Sequence, residues 1–171
     1  MKKKFKYGKE FIIGMFLAFI IIMIVSKFYF VASIPSASMD DTLSVGDRLI
    51  VKNNIDADEI EVGSIYVFNK EDTIMIKRCI GVEGDHIQIK DNDVFRNGNL
   101  LNEEYVSSSI SSDQSFDIDI IVPKGKVFFL GDNRRVSRDA RYWEDMFVDE
   151  SEVFGKALNV FFPPSHIKNL D

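Results

Sequence analysis

The pattern of apolar and polar positions divides the chain near residue 33. Phe11 to Val25, FIIGMFLAFIIIMIV, carries no charge, and FYFVASI extends the apolar character to Ile34, with Lys27 the one charged interruption. A helix needs roughly 20 apolar residues to cross a bilayer, and Phe11 to Ile34 supplies 24. The pattern predicts a transmembrane helix over 11–32. Lys27 can snorkel toward the outer interface beside Phe28, Tyr29 and Phe30. A basic start, an apolar stretch and the small residues of VASIPSA also describe a cleavable signal peptide. The length of the run favours an uncleaved anchor.

Beyond residue 33 the pattern shortens. Gly46-Asp47 leads into RLIV, and Gly63-Ser64 into IYVF. TIMIKRCI and HIQI flank Gly84-Asp85, and KVFFL runs up to Gly131-Asp132. Short β-branched and aromatic runs bounded by turn residues predict strands. VFRNGNLL predicts a hairpin, because Asn97-Gly98 accepts the positive φ angles of a type I′ turn. Ser107 to Ser115 is polar and predicts an exposed loop. DADEIEV and RYWEDMFVDE each allow one helical turn. The expected fold is mainly β: an antiparallel β-sheet domain over 33–171 behind one N-terminal transmembrane helix. A small β subdomain is expected as an insertion at about 90–119.

Composition changes little in this picture; charge changes more. With 171 residues, 46% hydrophobic and 28% charged, the chain has material for one globular domain and an anchor. The net charge of −6 is uneven: residues 1–10 carry +4, which leaves −10 on the remaining 161. The leading lysines place the N-terminus on the cytoplasmic side and the body on the extracytoplasmic face. An acidic body repels phosphates, so no nucleic-acid partner is expected. Cys79 is the single cysteine, which excludes an internal disulfide. Cys79, His86 and His166 lack metal-ligand spacing, and neither metal nor cofactor is expected.

Two segments offer chemistry. In TIMIKRCIG, alternation puts Met75, Lys77 and Cys79 on one strand face and Ile74, Ile76, Arg78 and Ile80 on the other. Lys77 therefore either reaches solvent at a sheet edge or is desolvated. Desolvation disfavours the ammonium and yields an amine able to act as a general base. PSASMDDTL, Pro35 to Leu43, follows the apolar segment with serines where a stop-transfer flank usually has basic residues. A serine hydroxyl needs a base to become a nucleophile, and among Ser33, Ser36, Ser38 and Ser44 the pattern does not choose. Neither His86 nor His166 has an evident partner for a triad. GDNRRVSRDAR, Gly131 to Arg141, is a dense polar segment that serves either as an exposed ion-pair loop or as buried support for a site.

Four segments together resemble one family, the type I signal peptidases: membrane-bound serine endopeptidases that remove signal peptides from exported proteins. PSASMDDTL is similar to the family's Ser-x-Met nucleophile box, GDRLIVKN to the strand after it, IKRCIGVEGD to its Lys-Arg box, and GDNRRVSRDAR to its Gly-Asp-Asn-Arg box. The resemblance implies that Ser38 is the nucleophile and Lys77 its general base. It implies an oxyanion hole from the backbone N–H of Ser38 and the hydroxyl of Ser36. Ser137 matches the serine that orients the lysine amine. Met39, Arg78, Asp132, Asn133, Arg134, Asp139 and Arg141 match positions that support the core loops. The implied partners are the signal peptides of exported preproteins and the lipid bilayer, the implied cut follows small residues, and a monomer is expected. Asp41 and Glu83 stand where the family has proline, Ala140 where it has serine or threonine, and Glu144 where glycine is common. A competing reading is an anchored, non-catalytic or dedicated relative that assists pilus or surface-protein assembly. Self-cleaving repressors share the Ser-Lys core, but they carry a DNA-binding domain and no anchor.

Overall fold

The computed structural model describes residues 2–40, 42–91, 93–106 and 115–170. Asp41 and most of the polar loop expected from Ser107 therefore lie outside the described residues. Helix α1 runs over Lys2–Phe28. Within it, Gly8–Phe28 is a 21-residue stretch of mean hydropathy 2.6 with no part buried against the body. At about 1.5 Å per residue this stretch is about 31 Å long, close to the thickness of a bilayer core.

The helix ends sooner than the apolar pattern predicts. Tyr29–Ser33 form strand β1, paired antiparallel with β2 (Arg48–Asn53) from Tyr29 opposite Lys52 to Ser33 opposite Arg48. Aromatic and β-branched residues here fit a pleated, half-buried surface. The side-chain amide of Asn54 donates to the Lys27 carbonyl at 3.2 Å, satisfying one acceptor that a helix end leaves open. The apolar run thus holds two elements, a distinction that hydropathy does not make.

The chain then forms β3 (Ile65–Lys70), β4 (Thr73–Gly81), β5 (His86–Lys90), β6 (Asp93–Arg96), β7 (Asn99–Leu100), β8 (Ile118–Ile121), β9 (Lys126–Leu130), β10 (Phe147–Asp149), β11 (Val153–Phe162) and β12 (Lys168–Asn169). The larger sheet has the order β1-β2-β11-β3-β4-β9-β10, with β12 also on β11. The smaller has the order β7-β6-β5-β8. Every pairing is antiparallel. The fold is therefore mainly β, as expected. The smaller sheet begins at His86, ahead of the expected boundary near residue 90. RYWEDMFVDE contains a strand, Phe147–Asp149, and only its end enters the 3₁₀ turn Glu150–Glu152. Pairing with β9 buries Val148 and overrides the helical turn that the segment allows.

Both faces of the central strands are covered, which is why they read as unbroken apolar runs. On β3, Ile65 and Val67 join a core with Leu49, Val51, Ala157 and Val160, whereas Tyr66 and Phe68 join one with Cys79, Val127 and Phe129. The Phe68 and Phe129 rings stack at 4.3 Å between centroids. A third core, with Ile80, Ile87, Phe128 and Leu130, binds the smaller sheet to the larger. In the smaller sheet Asn97 and Gly98 take φ angles of 53° and 79°, the left-handed pair expected for the β6–β7 hairpin.

Candidate active site

The segment between β1 and β2 is a closed loop. The Ile34 N–H donates to the Asp47 carbonyl at 3.0 Å, and the Gly46 N–H to the Ile34 carbonyl at 3.0 Å. Inside it, Ala37–Met39 form a 3₁₀ turn entered from Ser36. Met39 and Leu43 are buried in the first core and anchor the turn from below. Their burial leaves Ser38 half-buried and Ser36 exposed above them. Asn133 donates its backbone N–H to the Ser38 carbonyl at 3.1 Å, so a second loop grips the turn.

β4 brings Lys77 to this turn. In the ladder Lys77 stands opposite Tyr66. Met75 and Cys79 follow the alternation into the aromatic core. Lys77 leaves that course: its Nζ donates to Ser38 Oγ at 2.6 Å and to the Ile76 carbonyl at 3.2 Å. The residue is only 5% exposed. Burial pulls its amine below the ordinary lysine range, against the opposing pull of Asp139 and then Asp132. Desolvation dominates, which favours the neutral amine over the ammonium. Ser36 Oγ lies 3.4 Å from Ser38 Oγ.

The other residues singled out by the sequence surround this pair. Asp132 accepts two bonds from Arg78, 2.9 Å from Nε and 2.5 Å from Nη2. Arg78 Nη1 donates to the Gly63 carbonyl at 2.6 Å. Arg134 Nε donates to the Gly131 carbonyl at 3.0 Å. Asp139, fully buried, accepts from the Gly131 N–H at 2.9 Å and from Arg141 at 2.8 and 2.9 Å. The polar segment is therefore largely buried, with Arg135, Val136 and Arg138 exposed. Ser137 is buried, and its hydroxyl has no hydrogen-bond partner; the bonds of Lys77 go to Ser38 and Ile76 instead. Ala140 is fully buried in the third core, a place suited to a methyl group.

Alternative nucleophiles and bases are placed elsewhere. Cys79 is buried, and burial pushes its thiol up to about 12, so it is inert. His86 pairs with Asp119 at 2.6 Å and His166 with Asp47 at 2.7 Å. Among the described residues no group of acidic, histidine and cysteine side chains could hold a metal ion.

An open groove of about 860 Å³ leads to the pair. Ser38 and Lys77 lie in its wall with Ala32, Ile34, Ile74, Ile76 and Val136. Its lining is mostly apolar beside a hydroxyl and an amine. Two side chains that the sequence pattern did not single out, Glu103 and Tyr105, also reach the support. Glu103 pairs with Arg134, and the Tyr105 ring lies over Arg78.

The family model described as "Signal peptidase, peptidase S26" matches residues 5–162. The chain belongs to the signal peptidase family. It is 35% identical to signal peptidase IB of Staphylococcus aureus over an alignment of 179 residues, covering 94% of this chain and 92% of that one. It is also 35% identical to a probable signal peptidase I-2 of Synechocystis over 139 residues, covering 76% of this chain and 62% of that one. A crystal structure of a signal peptidase I from Enterococcus faecalis superposes with a TM-score of 0.47 at 29% identity, covering 55% of this chain and 92% of that one. As a signal peptidase, the chain is a serine peptidase, a hydrolase whose family removes signal peptides from preproteins.

Proposed function

We propose that this signal peptidase is anchored by α1 in the cell membrane, with its N-terminus cytoplasmic and its body on the extracytoplasmic face. There it cuts preproteins after small residues through a Ser38/Lys77 dyad. The observation that carries the reading is the 2.6 Å contact between Lys77 Nζ and Ser38 Oγ, made by a lysine 5% exposed.

Neutral Lys77 accepts the Ser38 proton as Oγ bonds to the scissile carbonyl carbon. Negative charge moves to the carbonyl oxygen, where the Ser38 N–H and the Ser36 hydroxyl donate. Each such donor is worth about 3–4 kcal/mol in comparable sites. The C–N bond breaks as the lysine ammonium returns its proton to the leaving amine. Water, losing a proton to the same lysine, then attacks the acyl-serine; the ester C–O bond breaks as the lysine returns that proton to Ser38 Oγ, releasing the new C-terminus. Ser137, whose buried hydroxyl has no other hydrogen-bond partner, orients the lysine amine. Met39 seats the nucleophile turn. Asp132, Asn133, Arg134, Asp139, Arg141 and Arg78 fix the surrounding loops. No metal or cofactor takes part, and the enzyme works as a monomer.

The test uses full-length protein in detergent with a preprotein bearing Ala-x-Ala before its cut. The parent is expected to release the mature protein, and Ser38→Ala and Lys77→Ala are expected to release none above background. Parent-like cleavage by either variant removes that residue from the dyad.

A further inference from the structure

We infer that Glu103 and Tyr105, on the turn that leaves the smaller sheet, are positioning residues for cleavage. They hold the two arginines that brace the base and the nucleophile. The inference rests on the Ser38/Lys77 reading above.

The turn is compact, with the Val106 N–H donating to the Glu103 carbonyl at 2.9 Å. Its two side chains go to different arginines. Arg134 donates to Glu103 through Nη1 at 3.0 Å and Nη2 at 2.5 Å. The Tyr105 ring lies over the Arg78 guanidinium, 3.9 Å from Cζ to centroid. The Tyr105 hydroxyl donates to Glu103 at 2.9 Å. Burial, then the Glu103 charge, raise the Tyr105 phenol, so that proton stays in place at working pH. A stacked guanidinium is fixed in plane and shielded from water.

Each arginine has a direct line to the reacting groups. Arg78 follows Lys77 on β4, and it binds Asp132 and reaches Thr42 Oγ1 at 3.4 Å in the nucleophile loop. Arg134 follows Asn133, whose N–H holds the Ser38 carbonyl, and its own Nε holds the Gly131 carbonyl. The Arg134 side chain is 2% exposed and that of Glu103 12%. Removing the carboxylate leaves a buried guanidinium short of its bidentate partner, and the guanidinium must then move. A misplacement of about 1 Å at the reacting atoms costs about 10²-fold in rate. The smaller sheet thus supplies one turn that sets the larger sheet's site.

The experiment compares full-length parent, Glu103→Gln, Tyr105→Ala and Tyr105→Phe in detergent. It measures kcat and KM for an Ala-x-Ala peptide, with a melting curve on each preparation and Ser38→Ala as the control for the dyad. Tyr105→Ala and Glu103→Gln are expected to lower kcat about tenfold or more with KM within about twofold, because positioning acts on the transition state. Tyr105→Phe keeps the ring over Arg78 and is expected to stay within about threefold of the parent. Parent-like kcat in Tyr105→Ala and Glu103→Gln, with Ser38→Ala inactive, overturns the inference and leaves the dyad standing. An active Ser38→Ala overturns both. Should Tyr105→Ala not fold, Glu103→Gln decides alone: a folded preparation with parent kcat ends the proposal, and a tenfold loss in kcat with KM unchanged upholds it.

Discussion

At the scale of the residue, the position of Lys77 has consequences for stability as well as for chemistry. Its amine is held below its ordinary range by burial, outweighing Asp139 and Asp132. Between that lowered value and the unfolded value of about 10.4, the unfolded chain binds the extra proton. Stability therefore rises with pH across this window. The cost of charging Lys77 is full below the lowered value and vanishes above about 10.4. Lys77→Met removes that cost. Its melting temperature relative to the parent is expected to rise as pH falls from about 10.5 toward about 6, and scanning calorimetry across that range checks it. The gap staying constant with pH would show that the parent lysine is not desolvated. Cleavage by the parent follows the same group from the other side, growing as pH climbs through the lowered value and the amine loses its proton.

At the scale of the element, the tightest joint lies just past the end of β9. Arg78 pairs with Leu130 at the last rung between β4 and β9, so the next residue, Gly131, passes beside the dyad. A Cβ on Gly131 would clash with Ser137 Oγ and stand 2.5 Å from the Ser38 carbonyl oxygen. The second contact is with backbone and cannot turn aside. Gly131→Ala is expected to cost about 1–3 kcal/mol from overpacking and, on the proposed function, to lower kcat as well, because the displaced group is the peptide of Ser38. A thermal melt beside a cleavage assay separates the two effects; full activity would mean that the loop relaxes away from Ser38. The motif around Gly131 was legible in the sequence, as were the central strands, whose continuous apolar runs reflect burial on both faces. The Asn97-Gly98 turn was legible because positive φ restricts residue choice. Tyr29–Ser33 was not, because an apolar strand that continues an apolar helix leaves no break in hydropathy. Glu103 and Tyr105 were not legible either. Their arginines lie 31 and 27 positions away, and only packing of the smaller sheet onto the larger joins them. Ser38 was chosen among its neighbouring serines by the family motif and not by local physics.

At the scale of the whole molecule, α1 and the body are separable in energy but joined in geometry. No residue of the apolar Gly8–Phe28 stretch is buried against the body, so the three cores form without it. Their contact is the short helix-to-strand passage at Phe28–Tyr29, pinned by Asn54 on the Lys27 carbonyl. From Ile34 to Ser38 the chain can reach at most about 14 Å, and the five residues of β1 add up to about 17 Å. β1 is paired with β2 along its whole length, so the start of the Ser38 loop is held at the sheet. A protein beginning at Tyr29 keeps every strand and all three cores. It is expected to melt within a few degrees of the full chain and to cleave a short soluble peptide at a comparable rate. Against a preprotein inserted in vesicles it is expected to fall by about 10²-fold or more, because the anchor confines enzyme and substrate to one surface and raises their effective concentration. Vesicle flotation and cleavage of inserted preprotein, run on both proteins, test this together. If the shortened protein floats with the vesicles and cleaves as fast as the full chain, the body holds the membrane by its own surface and α1 is dispensable for targeting. If it fails on the soluble peptide as well, α1 has a part in building the site that its exposed surface does not show.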